Sequence, residues 1–322
     1  MDLSMNMTLG EIIRLPCFSQ MQGQFVRSCG GDWLREKEGL TLLTLQQQNP
    51  TWFCEDVYFG LNRLREISRI RDQYVFQLSS GAGLIYLPAD EKRNATFALL
   101  AAGGGYGAVC TLQESLPVAA RLNELGIDCF CLNYRTATKE SFLHGLMPRP
   151  LEDMASALRF LDENRNRFGI QIENYIAGGF SAGGHLCAMW GTPHKGARSY
   201  GLPNPKALLL AYPLISLENL QGPMASVLCT GLLGENAKSE AITSYSANRH
   251  VDAAYPPVYL CLSEDDTTVP AKDAKDMETA LAAANVRCRV ERVSCGGHGF
   301  GLGTATPARG WVERTIHFME EK

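Results

Sequence analysis

The chain has 322 residues, 45% of them hydrophobic and 20% charged, with a formal net charge of −4. That is ordinary globular composition, and the length suits one large α/β domain with an appendage better than two equal domains. No long basic run argues for nucleic acid as a partner, and no stretch of roughly 18 uncharged apolar residues argues for a membrane span.

The N-terminal "MDLSMNMTLGEIIRLPCF" has no basic flank followed by an apolar core, so no signal peptide is expected. Residues 1–70 read as short helical pieces broken at Asn49-Pro50, with a faint likeness between 9–26 and 61–76. From about residue 72 the rhythm changes. Strand-like apolar runs fall at 73–78, 83–88, 96–102, 128–134, 174–179, 206–213, 257–263 and 288–293. The first two are joined by a short turn, which predicts an antiparallel hairpin at a sheet edge. Helical patterns lie between the later runs, at 113–125, 150–166, 182–190, 271–284 and 308–320. The first of these ends on Gly126 as a C′ glycine, and the second begins at Pro150. Continuous apolar strands alternating with helices predict a mostly parallel central sheet flanked by helices.

Eleven cysteines are present, an odd count without a CxxC pair. Several sit inside apolar runs, where cysteine behaves as a small hydrophobe. With no leader evident, this pattern favours a reducing, cytoplasmic setting. No clustered ligands suggest a metal, and no cofactor is expected.

The chemistry gathers around "YIAGGFSAGGHL". A strand ends, Ser181 appears between Gly179 and Gly183, and a helix begins. G-x-S-x-G at a strand-to-helix turn is a nucleophile elbow: small neighbours allow a sharp turn that lifts the hydroxyl over the sheet end. The N–H of Ala182, at the helix start, can donate to a developing oxyanion. Three further features fall in the order such a site needs. "AAGGGYG" follows an earlier strand, and Gly104 and Gly105 supply backbone that can approach a carbonyl closely, with Tyr106 beside them. A dinucleotide turn would need a glycine at 108, where alanine stands. Next, "SEDDTTVP" offers Glu264, Asp265 and Asp266 at a strand end. Last, His298 lies in the glycine-rich loop "CGGHGFGLG". Of the other histidines, His185 is one turn past the serine and is expected to pack locally. His317 falls in the terminal helix, and His144, His194 and His250 fall in loops. Ser181 needs a base, and His298 alone has the right order and setting.

These pieces together resemble the esterase/lipase branch of the α/β-hydrolases, especially the acetyl-xylan esterase-like and acetylesterase group. The matching stretches, among them "GGGYGAVC", "LGIDCFCLNYR", "YIAGGFSAGGHL", "DDTTVP" and "GGHGFGLG", span about residues 95–305. The resemblance implies an α/β-hydrolase fold, assigned to residues 71–322; residues 1–70 fall outside it and are expected to form a helical N-terminal extension, serving as a cap or as an oligomer surface of a homo-oligomer. In that family the acid stands three residues before Val-Pro, which selects Asp266 over Asp265. The chain departs from the family pattern at Ala102, where His or Pro is common, and after Pro270, where "AKDAKD" replaces a segment often ending in Asn-Ser.

The implied activity is hydrolysis of a small-molecule acyl ester, often the acetyl group of an acetylated sugar. Ser181, Asp266 and His298 would act as a triad, and Gly104, Gly105 and Ala182 as the oxyanion hole. A sugar would find stacking partners among Trp52, Tyr58, Tyr106, Trp190 and Tyr134 if these are not simply core. Arg135 would brace the glycine triplet, the favoured role, or pair with a carboxylate. The competing readings are a small serine peptidase of the prolyl-oligopeptidase-like branch and an inactive scaffold that binds without turnover; intact Ser181, Asp266 and His298 argue against the second.

Overall fold

The computed structural model describes residues 3–28, 33–93 and 95–321. Ten strands are present among the described residues. Two short ones, β1 (Arg27–Ser28) and β5 (Ala108–Val109), pair antiparallel on their own. The other eight are β2 (Val75–Gln77), β3 (Gly83–Leu87), β4 (Phe97–Ala101), β6 (Asp128–Asn133), β7 (Tyr175–Phe180), β8 (Ala207–Ala211), β9 (Val258–Ser263) and β10 (Cys288–Val293). They form one sheet in the order β10-β9-β8-β7-β4-β6-β3-β2. The β2–β3 hairpin lies at the edge, β3 runs antiparallel to β6, and every other neighbour is parallel. All eight apolar runs read from the sequence are strands of this sheet.

Strand alternation divides the core in two. Along β4, Phe97, Leu99 and Ala101 face one side and Ala98 and Leu100 the other. The first side packs the helices Arg149–Glu163, Ser181–Trp190 and Ala271–Ala283; the second packs Ser115–Glu124 and Trp311–Glu320. Both faces are covered, which is why every residue of β3, β4, β6, β7, β8 and β9 is buried. The helix Ser115–Glu124 ends as its glycine foretold. Gly126 takes φ of 78°, and the Ile127 N–H reaches back to the Leu122 carbonyl at 3.0 Å.

The N-terminal residues join the second core. Leu9, Ile12, Phe18, Leu61, Leu64 and Ile67 are each fully buried in it. The helix Cys54–Ile70 lies along Ser115–Glu124, and a Cβ at Gly60 would stand 2.9 Å from the Pro117 nitrogen. Residues 9–26 and 61–76 are not a repeat. The first holds a short helix and a 3₁₀ turn, the second the end of a long helix and a strand. The sequence reading also assigned no structure between β8 and β9. That stretch carries the helices Gly222–Leu233 and Ser239–Ser244.

Among the described residues, ten cysteines are free thiols; Cys29 lies outside them. No described helix is long and apolar enough to cross a membrane, and no described cluster of three His, Cys, Asp or Glu is placed to hold a metal ion.

Candidate active site

The parallel strands deliver their carboxyl ends to one edge of the sheet, where open α/β sheets gather their ligands. Ser181 follows β7 directly and opens the helix Ser181–Trp190. Its φ is 50°, in the left-handed region that a non-glycine residue enters at a cost of about 1–3 kcal/mol. The flanking glycines make the turn sterically feasible. A Cβ on Gly179 would lie 2.3 Å from the Gly183 carbonyl oxygen, and one on Gly183 would lie 2.0 Å from that of Ala101. The strand, the turn and the neighbouring strand end are therefore in main-chain contact, and Ser181 is held at the top.

Ser181 Oγ is 2.7 Å from His298 Nε2, and His298 Nδ1 is 2.7 Å from Asp266 Oδ2. Asp266 is held in turn by the N–H groups of Thr268 and Val269, which donate to Oδ1 at 2.8 and 3.0 Å. The Asp266 side chain is 6% exposed and the His298 side chain 17%, so the pair is sheltered but reachable. Asp265 points elsewhere. Its Oδ1 accepts from Ser263 Oγ and from the Gly297 N–H, and these bonds hold its carboxyl below the usual range. The two neighbouring aspartates thus divide the work. One meets the imidazole, and the other pins the loop that carries it.

The turn after β4 closes over the serine. Gly104 has φ of 122°, and a Cβ there would stand 2.4 Å from the Ala108 carbonyl oxygen. A Cβ on Gly105 would meet nothing within 4 Å. Gly104, Gly105, Ser181, Ala182 and His298 border one cavity of about 1040 Å³. The N–H of Ala182 belongs to the first helical turn, where N–H groups have no intrahelical acceptor. Tyr106 also borders the cavity, yet its ring is 1% exposed and its hydroxyl is engaged 2.7 Å from His185 Nδ1.

His185 is fully buried, and burial lowers its pKa to about 4. Its Nε2 lies 2.7 Å from the Tyr245 carbonyl, which can only accept. Nε2 therefore carries the proton and Nδ1 accepts from Tyr106. Local packing was the expectation for His185, and it is what the structure holds. His144 and His250, expected in loops, end the short helices Lys139–His144 and Ala247–His250, while His194 is in an exposed loop.

Of the five aromatic residues weighed as a sugar platform, Trp190 and Tyr134 are fully buried, with Tyr134 bonded to the Ala102 carbonyl at 2.7 Å. Tyr58 donates to the Leu3 carbonyl at 3.0 Å. Only Trp52 and Tyr106 border the cavity. Arg135 pairs with the buried Asp153 through Nε at 2.8 Å, the carboxylate option rather than the glycine turn.

The far wall was not anticipated. Leu228 and Leu232 of the helix Gly222–Leu233, together with Phe142, make it apolar. Glu218, Asn219 and Lys272 make an adjoining stretch polar. Asp273, in the segment that departs from the family pattern, is buried and accepts from the N–H groups of Ile215 and Ser216 at 2.7 and 3.1 Å. It holds the loop from which Glu218 and Asn219 arise. A helix between Pro223 and Gly234 was signalled by those two residues, a start and a stop. The run between them carries no charged residue and only Ser226 and Thr230 as polar ones, which hid it.

The BD-FAE family model matches residues 84–281. The endo-1,4-beta-xylanase B of Butyrivibrio fibrisolvens is 27% identical over 69% of this chain and 35% of its own length. The acetylxylan esterase of Xylanibacter ruminicola is 28% identical over 63% of this chain and 40% of its own length. The chain thus spans well under half the length of these two relatives. Among solved structures, the acetyl ester-xyloside bifunctional hydrolase from Caldicellulosiruptor lactoaceticus superposes with a TM-score of 0.64 at 27% identity, covering 74% of this chain and 88% of that one. A carboxylesterase from Lactobacillus plantarum shares the fold, with a TM-score of 0.60 at 19% identity over 74% of this chain and 91% of its own.

Proposed function

The chain belongs to the BD-FAE family of α/β-hydrolase esterases, and from that membership we propose a serine carboxylesterase that removes short acyl groups, acetyl above all, from acylated carbohydrate. The observation that carries the reading is the unbroken line from Ser181 Oγ through His298 to Asp266, with both links at 2.7 Å. A serine hydroxyl is a weak nucleophile at neutral pH, and this line gives it a base and gives the base an orienting carboxylate.

In the proposed reaction Ser181 Oγ attacks the acyl carbonyl while His298 Nε2 takes its proton. Asp266 holds the imidazole through Nδ1–H and balances the imidazolium that forms. The N–H groups of Gly104, Gly105 and Ala182 receive the oxyanion. The imidazolium then protonates the departing alcohol, and water activated by His298 releases the acid. No cofactor enters any step.

The alcohol is proposed to be a sugar because the cavity is far larger than an acetyl group needs, and because one wall carries Glu218, Asn219 and Lys272 for hydroxyl contacts. The names of the xylan-directed relatives point the same way. Trp52, which also lines the cavity, is the proposed stacking surface. The test is acetate release from acetylated xylo-oligosaccharides compared with p-nitrophenyl acetate, butyrate and octanoate. The expected result is release from the oligosaccharide and a preference for acetate over octanoate. Preference for octanoate with no release from the sugar would overturn the carbohydrate assignment.

A further inference from the structure

We propose that Glu114 is a positioning residue for the reaction at Ser181, acting as a carboxylate that ties the turn of Gly104 and Gly105 to the loop of His298. The proposal rests on the roles assigned above to Ser181 and His298.

Hydrogen-bond direction assigns the carboxylate. The Gly301 N–H donates to Tyr212 Oη at 2.9 Å, so that oxygen accepts and the phenolic proton turns to Glu114 Oε1, 3.2 Å away. The other carboxyl oxygen, Oε2, accepts from the Gly103 N–H. Both oxygens of Glu114 accept, and the ionised form does so most strongly. A proton on either oxygen weakens it as an acceptor and with it the tie to Gly103 or to Tyr212.

The ties are placed where they matter. Gly103 directly precedes Gly104, and a Cβ on it would stand 2.7 Å from Ser181 Cβ and 3.1 Å from Glu114 Oε2. Its peptide is therefore wedged between nucleophile and carboxylate. Tyr212 lies at the end of β8 with φ of 37°, a strained conformation for a tyrosine, and its ring meets that of His298 edge-on at 5.1 Å. The preceding residue, Gln113, donates through Nε2 to the Gly299 carbonyl at 2.8 Å. Two consecutive side chains thus hold the turn on one side of Ser181 and the histidine loop on the other. Glu114 itself is 4% exposed and sits at the start of the helix Ser115–Glu124, whose N-terminal end favours negative charge.

The ionisable groups facing Glu114 are Cys110 on its own segment, Tyr134 after β6, Tyr212 after β8 and His298. Burial dominates and lifts the Glu114 carboxyl from 4.5 to about 7, opposed by the Gly103 N–H, His298 and Tyr212. The working site then needs Glu114 ionised as well as a neutral imidazole on His298. The stability effect runs the other way. A raised carboxyl pKa favours the fold at pH below about 4.5, and the benefit is lost as pH rises through about 7.

The experiment is a pH–rate profile on p-nitrophenyl acetate for wild type, Glu114→Gln, Glu114→Asp and Ser181→Ala, with thermal melting across the same pH range. Wild type should show an acid limb in log kcat steeper than one proton, and Glu114→Gln a one-proton limb. The glutamine variant should lose about 10- to 100-fold in kcat with KM moved less than about threefold, since the loss lies in the transition state. The melting temperature of wild type should fall relative to that of Glu114→Gln as pH rises from about 4.5 to about 7, and level off above that. A one-proton limb in wild type overturns the proposal, whether or not the variants fold, as does wild-type kcat in Glu114→Gln. Wild type without esterase activity at any pH removes the reading of Ser181 itself. Active wild type, dead Ser181→Ala and a one-proton limb would remove Glu114 alone.

Discussion

At the scale of single residues, the site is a set of side chains whose partners leave each one task. Asp265 and Asp266 are adjacent and chemically identical, yet backbone direction at the end of β9 sends one to the Gly297 N–H and the other to His298 Nδ1. Sequence spacing alone left the two open, and resemblance to relatives favoured Asp266. The geometry supplies a test of that choice. Asp266→Asn should lower kcat by on the order of 10³- to 10⁴-fold, because an amide stabilises neither the required tautomer nor the imidazolium. Asp265→Asn should cost far less, since it weakens a loop anchor and leaves the imidazole's partner in place. Steady-state kinetics of both variants on one ester decides the matter, and equal losses would contradict the division.

At the scale of elements, legibility followed burial. Six strands covered on both faces read as near-continuous apolar runs, and the partly exposed edge strands Val75–Gln77 and Cys288–Val293 as shorter or alternating ones, so all eight were visible. The nucleophile turn was visible because its geometry tolerates so few residues. Gly179 and Gly183 face main-chain atoms at 2.3 and 2.0 Å, and any side chain would be refused. Elements that shape the cavity were not visible. The helix Gly222–Leu233 is uncharged along its length, and the polar wall depends on Asp273 reaching backbone nearly sixty residues away at Ile215. Contacts of that range leave no local pattern.

The N-terminal helices carried an amphipathic signal but no indication of what they cover. Their role is structural as well as local to the site, since Asp56 of the helix Cys54–Ile70 accepts from Thr304 beyond the histidine loop. Leu64, fully buried between that helix and the sheet, is the measure of this packing. Leu64→Ala should destabilise the whole protein by about 2–5 kcal/mol in a single denaturant transition. Loss of the first 70 residues' structure ahead of the rest would show instead that they fold separately.

At the scale of the molecule, the sheet is a device for bringing distant parts of the chain to one edge. Ser181 follows β7, Asp266 follows β9, His298 follows β10 and the glycine turn follows β4. Each stands beyond the carboxyl end of its strand, and β4, β7 and β9 are buried along their whole length. The cavity above them joins an apolar wall to a polar one, and its size leaves the alcohol half of an ester room to bind. The claim on which all of this depends is that Ser181 is the nucleophile. The most direct measurement is turnover of p-nitrophenyl acetate by wild type and by Ser181→Ala, with melting curves to show that both are folded. The account predicts clear wild-type turnover and a loss of on the order of 10³-fold or more in kcat in the variant. A folded Ser181→Ala protein that hydrolyses the ester at the wild-type rate would contradict it.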